Sequence, residues 1–316
     1  MVRLLVEAGR QVVVFDNFSQ GHRAAIKGVD VVEGDLLNPA DLSSAFAQHE
    51  VEAVIHFAAL IAVGDSVTNP NSYYRNNVTG TLNLLDAMRD AAVNKLVFSS
   101  TAAVFGNPLT DQLSEDHPLA PINPYGWTKR MVEQMLADMA TAWGLNSVAL
   151  RYFNACGAHS SGEIGEAHDP ETHLLPVVLL AALGLRDSLK LFGGDYDTHD
   201  GTCVRDYIHV SDLASAHLKA LDYMDKSPGA HAFNLGNGEG FSNLEVVEAA
   251  RRVTGQPLPV EIAPRRAGDP ARLVADSTRA REILGWTPAH PDLDGIIQSA
   301  WSWHQNPAYG PFAKKD

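Results

Sequence analysis

Five apolar runs alternating with helical stretches constrain this chain more than any other feature. QVVVF (11–15), VDVVEGD (29–35), EAVIHFAA (52–59), KLVFSS (95–100) and NSVALRYFN (146–154) are short and rich in Val, Ile, Leu and Phe. Such runs suit strands buried on both faces, which occur in parallel sheets covered by helices. Between them lie DLSSAFAQH (41–49), NNVTGTLNLLDAMRDAAV (76–93) and YGWTKRMVEQMLADMATAWG (125–144), whose apolar residues recur at helical spacing. The alternation predicts an α/β chain built on a doubly wound, Rossmann-type parallel sheet. The opening MVRLLVEAGRQVVVFD reads as the end of a helix, a turn at Gly9 and a strand closed by Asp16. A dinucleotide-binding unit reads this way from the middle of its first helix onward. The expectation is therefore an N-terminally truncated unit, with the first strand and the glycine-rich phosphate loop lying before Met1.

After Asn154 the texture changes. Residues 155–173 carry Gly, Ser, His and Asp without periodicity and read as a long surface or active-site loop. Beyond them, helices over 174–185, 242–255, 277–286 and 293–304, and a strand end running into a helix over 207–224, alternate with short strands at 189–193 and 232–236. The expected organisation is a dinucleotide-binding domain over 1–155 and a smaller mixed α/β substrate domain over 156–316, some segments of which pack back on the first.

Charge and cysteines bound the function. With 24 basic against 38 acidic residues the net charge is −14, which argues against nucleic-acid and anionic-membrane partners. Cys156 and Cys203 give no disulfide framework, so a reducing cytoplasm is expected. No stretch approaches the roughly 20 apolar residues of a spanning helix. The 13 histidines show no HExxH motif, no CxxC accompanies them, and no metal is expected. His22, His159, His168 and His199 sit in polar loops and read as solvated. GDSV (64–67) lacks the GxSxG elbow of a serine nucleophile.

The motif that carries chemistry is YGWTK, with Tyr125 and Lys129 four residues apart on one helix face. A nearby ammonium is expected to lower the tyrosine pKa from about 10 toward neutrality. A low-pKa tyrosine can take a hydroxyl proton while a hydride leaves the same carbon. Lys129 can also hold a ribose hydroxyl of a nicotinamide cofactor. Thr101 lies at the C-terminal end of a strand, where ligands bind in open α/β sheets. YxxxK also arises by chance on many helices, as a half-buried ring beside a solvated amine. Its place behind NPYG and after a strand ending in SST separates this case from that one. Asp16 can accept both hydroxyls of an adenine ribose, which favours NAD, and Asp35 can bond the adenine amino group. Loop capping is the alternative for both. Arg205, and the cluster Arg265, Arg266 and Arg272, could clamp a diphosphate. Surface pairing with Asp206 and Asp269 is the equal alternative.

Taken together these segments resemble the UDP-glucose 4-epimerases, the galactose-pathway isomerases of the extended short-chain dehydrogenase/reductase group. The resemblance runs from residue 1 to about 310. It rests on DN (16–17), GD (34–35), HFAA with AVGDSV (62–67), YYRNNVTGT (73–81), SSTAAVFG (99–106), NPYGWTK (123–129), LRYFNACGAH (150–159), DGTCVRDYIHVSDLA (200–214), NLG (234–236) and PRRAGDPA (264–271). It implies that Tyr125 is the active-site base, Lys129 its partner and ribose ligand, and Thr101 the hydroxyl beside them. NAD would accept hydride from C4 of a UDP-hexose and return it to the other face after the 4-keto sugar swings. Asp16, Asn17, Asp35, Leu36, Phe57, Ala58, Asn76 and Phe153 would line the cofactor. Asn154, Leu174, Phe192, Arg205, Tyr207, Arg266, Asp269 and Leu273 would hold the UDP-sugar. A homodimer through helices 76–93 and 125–143 is implied as well.

Three departures limit these implications. GxxGxxG is missing. Ile61 stands where some members carry a lysine near the cofactor. Leu273 stands where some carry a tyrosine, so N-acetylated UDP-hexosamines are expected to fit. A UDP-uronate epimerase is a related alternative. A 4,6-dehydratase is disfavoured because Ala102, Ala103 and Val104 supply no acid/base pair. A truncated, non-catalytic nucleotide-binding protein is the alternative of another class.

Overall fold

The computed structural model describes residues 1–186, 188–266 and 269–313. Its strands in chain order are β1 Val13–Asp16, β2 Asp30–Glu33, β3 Val54–His56, β4 Lys95–Thr101, β5 Asn146–Tyr152, β6 Asn154–Cys156, β7 Leu189–Phe192, β8 Val204–Arg205, β9 Tyr207–His209, β10 Ala230–Leu235, β11 Phe241–Ser242, β12 Val260–Ala263 and β13 Arg272–Leu273. The α-helices are α1 Val2–Glu7, α2 Pro39–Gln48, α3 Val63–Thr68, α4 Pro70–Tyr73, α5 Gly80–Asp90, α6 Pro124–Trp143, α7 Leu174–Ala182, α8 Val210–Met224, α9 Asn243–Thr254, α10 Thr278–Ile283 and α11 Leu293–Gln305. None of the described helices is long and apolar enough to cross a membrane.

The central sheet has the order β10-β5-β4-β3 with every pair parallel. Side chains alternate across a strand. Leu96 and Phe98 of β4 accordingly join Leu84, Leu85 and Met88 of α5 and Val132 and Leu136 of α6 on one face. Val97 joins Val148, Leu150, Leu213, Ala216 and Trp286 on the other. Helices therefore cover both faces, the expected α/β architecture. β1 and β2 pair parallel as a separate two-stranded sheet, and Phe15 packs against the α2–α5 side of the core. Among the described residues no strand pairs with the second edge of β1 or of β3.

Two segments of the second half belong to this sheet. β10 pairs with β5 in register from Ala230↔Ser147 to Leu235↔Tyr152, and α8 packs on β4 and β5. What remains of the second half forms its own core from Leu175, Val178, Leu189, Leu191, Val246, Val247, Ile296 and Ile297.

Candidate active site

The longest helix owes its start to NPYG. Asn123 accepts the Gly126 N–H at 2.8 Å, and Pro124 takes the first turn, where its missing N–H leaves nothing unpaired. Gly144 ends the helix at φ 77°. The glycine after Tyr125 has a steric reason. A Cβ at Gly126 would lie 2.5 Å from the Ala103 carbonyl oxygen, so glycine lets the first turn of α6 close on the turn after β4. That closure brings Tyr125 to Thr101, and a hydrogen bond joins their side chains. Thr101 ends β4 and caps the short turn Ala102–Val104, its hydroxyl accepting the Ala103 N–H at 3.2 Å.

Lys129 is 2% exposed and donates to the Ser99 carbonyl at 2.8 Å, with its nitrogen 4.8 Å from the Phe98 ring centroid. Burial pushes its pKa down to about 7, while the Glu133 carboxylate pulls it up. The expectation that this ammonium lowers the Tyr125 pKa is not met in this structure. Burial raises the phenol above its ordinary value, and the Thr101 hydrogen bond is what lowers it. The reason is geometric: the Lys129 nitrogen lies 6.0 Å from the Tyr125 ring centroid and is turned toward Ser99.

The stripe continues one turn further to Glu133, a residue the sequence reading passed over. Its carboxylate takes two hydrogen bonds from Arg151, at 2.9 and 2.7 Å, and one from the Ser100 hydroxyl at 2.6 Å. The pair is buried, each side chain 6% exposed. Asn77 was also passed over in favour of its neighbour Asn76. Asn77 accepts from the Leu60 N–H at 2.8 Å and donates to the Leu60 carbonyl at 3.0 Å and the Thr128 hydroxyl at 3.1 Å. It thus ties the loop after β3 to α6, while Asn76 donates to it at 3.0 Å. His56 is a packed histidine: it meets the Thr81 hydroxyl at 2.9 Å, and burial pushes its pKa down to about 3.

The acids at the strand ends are engaged in their own loops. Asp16 accepts the Phe18 N–H at 2.7 Å, and Asp35 accepts the Leu37 N–H at 2.8 Å and the Asn17 amide at 3.1 Å. Leu36 is a core residue, 8% exposed, so its side chain does not line a cofactor surface. Phe57 and Ala58 are exposed beyond the end of β3, as is Ile61. Phe153 and Leu273 both pack against the small core of Ala102, Val104, Phe105 and Leu113.

These residues fit the two ends of a dinucleotide. Lys129 makes one hydrogen bond among the described residues and has further N–H groups to offer. Phe57, at 45%, and Ile61, at 43%, leave apolar surface bare for a flat ring. For the pyrophosphate between those ends the sequence offers no GxxGxxG.

In the second half Arg205 and Asp269 meet, while the other arginines expected to clamp a diphosphate each have a different partner. β8 and β13 pair with Leu273 opposite Arg205, and Arg205 bonds Asp269 at 2.6 Å. Arg266 lies over the Phe192 ring at 4.0 Å. Asn154 donates to the Asp206 carbonyl at 2.9 Å, and Tyr207 is 3% exposed. Among the described residues Asp206 pairs with no arginine. It accepts the N–H groups of Asn237, Gly238 and Ala275, while Arg265 bonds Asp195 at 2.6 Å and Arg272 donates to the Asp111 carbonyl at 3.3 Å. Leu174 opens α7. Ser66 is buried in α3 and donates to the Val63 carbonyl at 2.6 Å, so it is no nucleophile.

The histidines read as solvated are engaged. His22 meets the Ala167 carbonyl, His159 the Arg3 guanidinium and His199 the Glu245 carboxylate. His168 lies among Glu166, Glu171 and His173, and hydrogen bonds to the two carboxylates raise its pKa to about 9 and that of His173 to about 10.

Comparison with known proteins places this geometry. A UDP-glucose 4-epimerase of Halalkalibacterium halodurans is 50% identical over 309 residues, covering 98% of this chain and 92% of the relative. The crystal structure of UDP-glucose 4-epimerase from Brucella ovis in complex with NAD superposes with a TM-score of 0.92 at 50% identity, covering 95% of this chain and 92% of that one. The Bifidobacterium longum enzyme in complex with NAD+ and UDP gives 0.92 at 39% identity, covering 96% and 93%. Residues 1–236 match the family model, so this chain belongs to the NAD dependent epimerase/dehydratase family.

Proposed function

We propose that the chain interconverts UDP-glucose and UDP-galactose by inverting C4 of the hexose, with NAD as cofactor. The observation that carries this reading is the assembly of Tyr125, Thr101 and Lys129 at the C-terminal end of β4. When bound, the oxidised nicotinamide supplies the hydride acceptor and a positive charge beside the phenol. Tyr125 takes the 4-hydroxyl proton and later returns it. Thr101 bridges the sugar oxygen and the phenol. Lys129 holds the nicotinamide ribose, with Asp16, Asn17, Asp35, Phe57, Ala58, Asn76 and Phe153 along the cofactor. Arg205 and Arg266 grip the diphosphate, with Asn154, Leu174, Phe192, Tyr207 and Asp269 around the nucleotide. A firm hold on the diphosphate and a loose one on the ring let the keto sugar present its other face. Arg205 must exchange Asp269 for phosphate when substrate enters, which keeps its charge paired throughout.

The test is conversion of UDP-galactose by this chain, with the NAD released on denaturation measured alongside. Conversion that depends on NAD, carried by the protein or added, is expected. No conversion at saturating NAD+ overturns the reading. UDP-N-acetylgalactosamine belongs in the same assay. Leu273 and Phe153 pack against the core that includes the turn following Thr101, and a leucine there is smaller than the tyrosine of some relatives, which supports acceptance of an acetamido group. Leu273→Tyr should cut turnover of the N-acetylated sugar by about 10–200-fold and spare UDP-galactose. Equal loss on both substrates would show that the residue does not set the choice.

We also propose a homodimer through α5 and α6, where Leu82, Trp127 and Met131 stay about 40% exposed. Light scattering giving the mass of one chain would sink it. The buried free thiols of Cys156 and Cys203 support a cytoplasmic setting.

A further inference from the structure

Glu166, His168, Glu171 and His173 close on one another at the end of the segment that leads from β6 into α7. Each offers one ligand atom, and the four atoms lie within 4.8 Å of one another. Nδ1 of His168 is 3.1 Å from a Glu166 oxygen and 3.5 Å from a Glu171 oxygen. Nδ1 of His173 is 2.8 Å from Glu166 and 3.2 Å from Glu171. Two imidazoles and two carboxylates make an N2O2 donor set. A tetrahedral zinc ion with bonds of about 2.0–2.2 Å holds its ligand atoms about 3.3–3.6 Å apart. One of the four nitrogen–oxygen separations lies in that range and three fall up to about 0.5 Å short of it, so the side chains must spread slightly to admit an ion. We propose that these four residues form a divalent transition-metal site of zinc type, clasping the loop to the start of α7.

The surroundings favour a site over a chance meeting of charges. The Glu171 side chain is 3% exposed, and its Oε1 accepts the N–H groups of Thr172 and His173, both at 2.8 Å. Such outer hydrogen bonds fix a ligand's orientation. The Glu166 carbonyl accepts the Trp303 indole N–H at 2.9 Å, and the Tyr309 hydroxyl donates to the Gly165 carbonyl at 2.9 Å. The loop is therefore anchored on the core just before its first ligand. His173 is the N-cap of α7, which anchors the last ligand to a helix whose Leu175, Val178 and Leu179 are buried. Among the described residues no lysine or arginine pairs with either carboxylate. The His173 side chain is 49% exposed and gives an ion its path from solvent. Imidazole donors select a zinc-like ion over magnesium or calcium, which prefer an all-oxygen shell. The site does not depend on the epimerase reading.

The full chain, stripped with chelator, incubated with Zn2+ and desalted, should retain one zinc per chain by elemental analysis. Co2+ in its place should give the intense visible bands of a tetrahedral centre. His168→Asn and His173→Asn should each weaken Zn2+ binding by at least about 10–100-fold, the loss seen when even outer partners of a metal ligand are removed. His49→Asn should leave it unchanged. Failure of the wild-type chain to retain zinc, or undiminished binding in the His168→Asn/His173→Asn double variant, overturns the site and leaves an ion-pair network. Should the variants not fold, the wild-type Co2+ spectrum decides: tetrahedral bands support the site and their absence overturns it. Epimerase activity is not among the readouts, so either outcome leaves the proposed function standing.

Discussion

Tyr125→Phe should lower kcat for UDP-galactose by about 1000-fold, within the roughly 10²–10⁴-fold that a positioned acid/base contributes. Affinity for the UDP-sugar and the folded state should hardly change. The phenol oxygen meets Thr101, whereas the ring stays where the close approach of Gly126 to Ala103 puts it. Phenylalanine keeps the ring and loses only the group that moves the proton. A loss confined to kcat marks an interaction made in the transition state. The measurement is a kinetic comparison on NAD+-loaded protein, with UDP-sugar binding followed by calorimetry. A variant with near wild-type kcat would mean that another group takes the proton. One that loses UDP-sugar affinity in step with kcat would mean that Tyr125 binds rather than reacts.

The pKa pattern sharpens this expectation. Burial holds Tyr125 above its ordinary pKa and Lys129 down at about 7. Both shifts have one cause, the exclusion of water from the site. Positive charge beside the phenol would favour its ionised form, and an oxidised nicotinamide would supply that charge when bound.

How much of this could be read from residues alone varied with the range of the interaction. β4 and β5 were legible because strands buried on both faces must be continuously apolar, and Leu96 to Phe98 and Val148 to Leu150 are. The ends of α6 were legible because Asn-Pro and Gly act within one turn. Residues 63–74 were not. α3 and α4 carry exposed Val63 and Val67 beside buried Ser66 and Tyr73, so no apolar face marks them as helical. The chain then passes through a π-helical stretch, Tyr74–Thr79, where the 3.6-residue period fails. The place of β10 was also hidden, since its pairing with β5 joins residues some eighty positions apart and leaves no local trace. At the site, Tyr125 and Lys129 declared themselves by spacing. Pairing with Asp269 was one of the two readings open for Arg205, and the structure shows it, whereas Glu133–Arg151, 18 residues apart, was not singled out by complementary charge. Glu166, His168, Glu171 and His173 fall within eight consecutive positions, and the signal was there; an irregular loop gave no reason to expect their side chains to converge.

Arg151→Met should destabilise the chain by about 3–5 kcal/mol, the usual loss when one partner of a buried ion pair is removed and the other charge is left behind. Arg151 stands on β5 with its guanidinium on Glu133 of α6, and both side chains are 6% exposed. Without it Glu133 keeps the Ser100 hydroxyl, at 2.6 Å, and little else to offset its burial. The pair itself is weaker evidence of stability than its breakage suggests, because burying both charges was costly and one Arg151 nitrogen, Nη1, finds no partner among the described residues. The double variant Glu133→Leu/Arg151→Met should therefore recover most of the loss. What it should not recover is activity. Glu133 is the group that raises the Lys129 pKa against burial. With Glu133 gone that support is lost, and burial moves the Lys129 pKa further down. Denaturant titrations of the two single variants and the double variant measure the coupling, and kcat against pH on the double variant measures the charge of Lys129. Equal destabilisation of the Arg151 single and the double variant would refute the stranded-charge argument. Recovered stability with an unaltered pH profile would show that the pair serves the fold alone. Recovered stability with a shifted profile would show that the sheet and the catalytic lysine are coupled through one carboxylate.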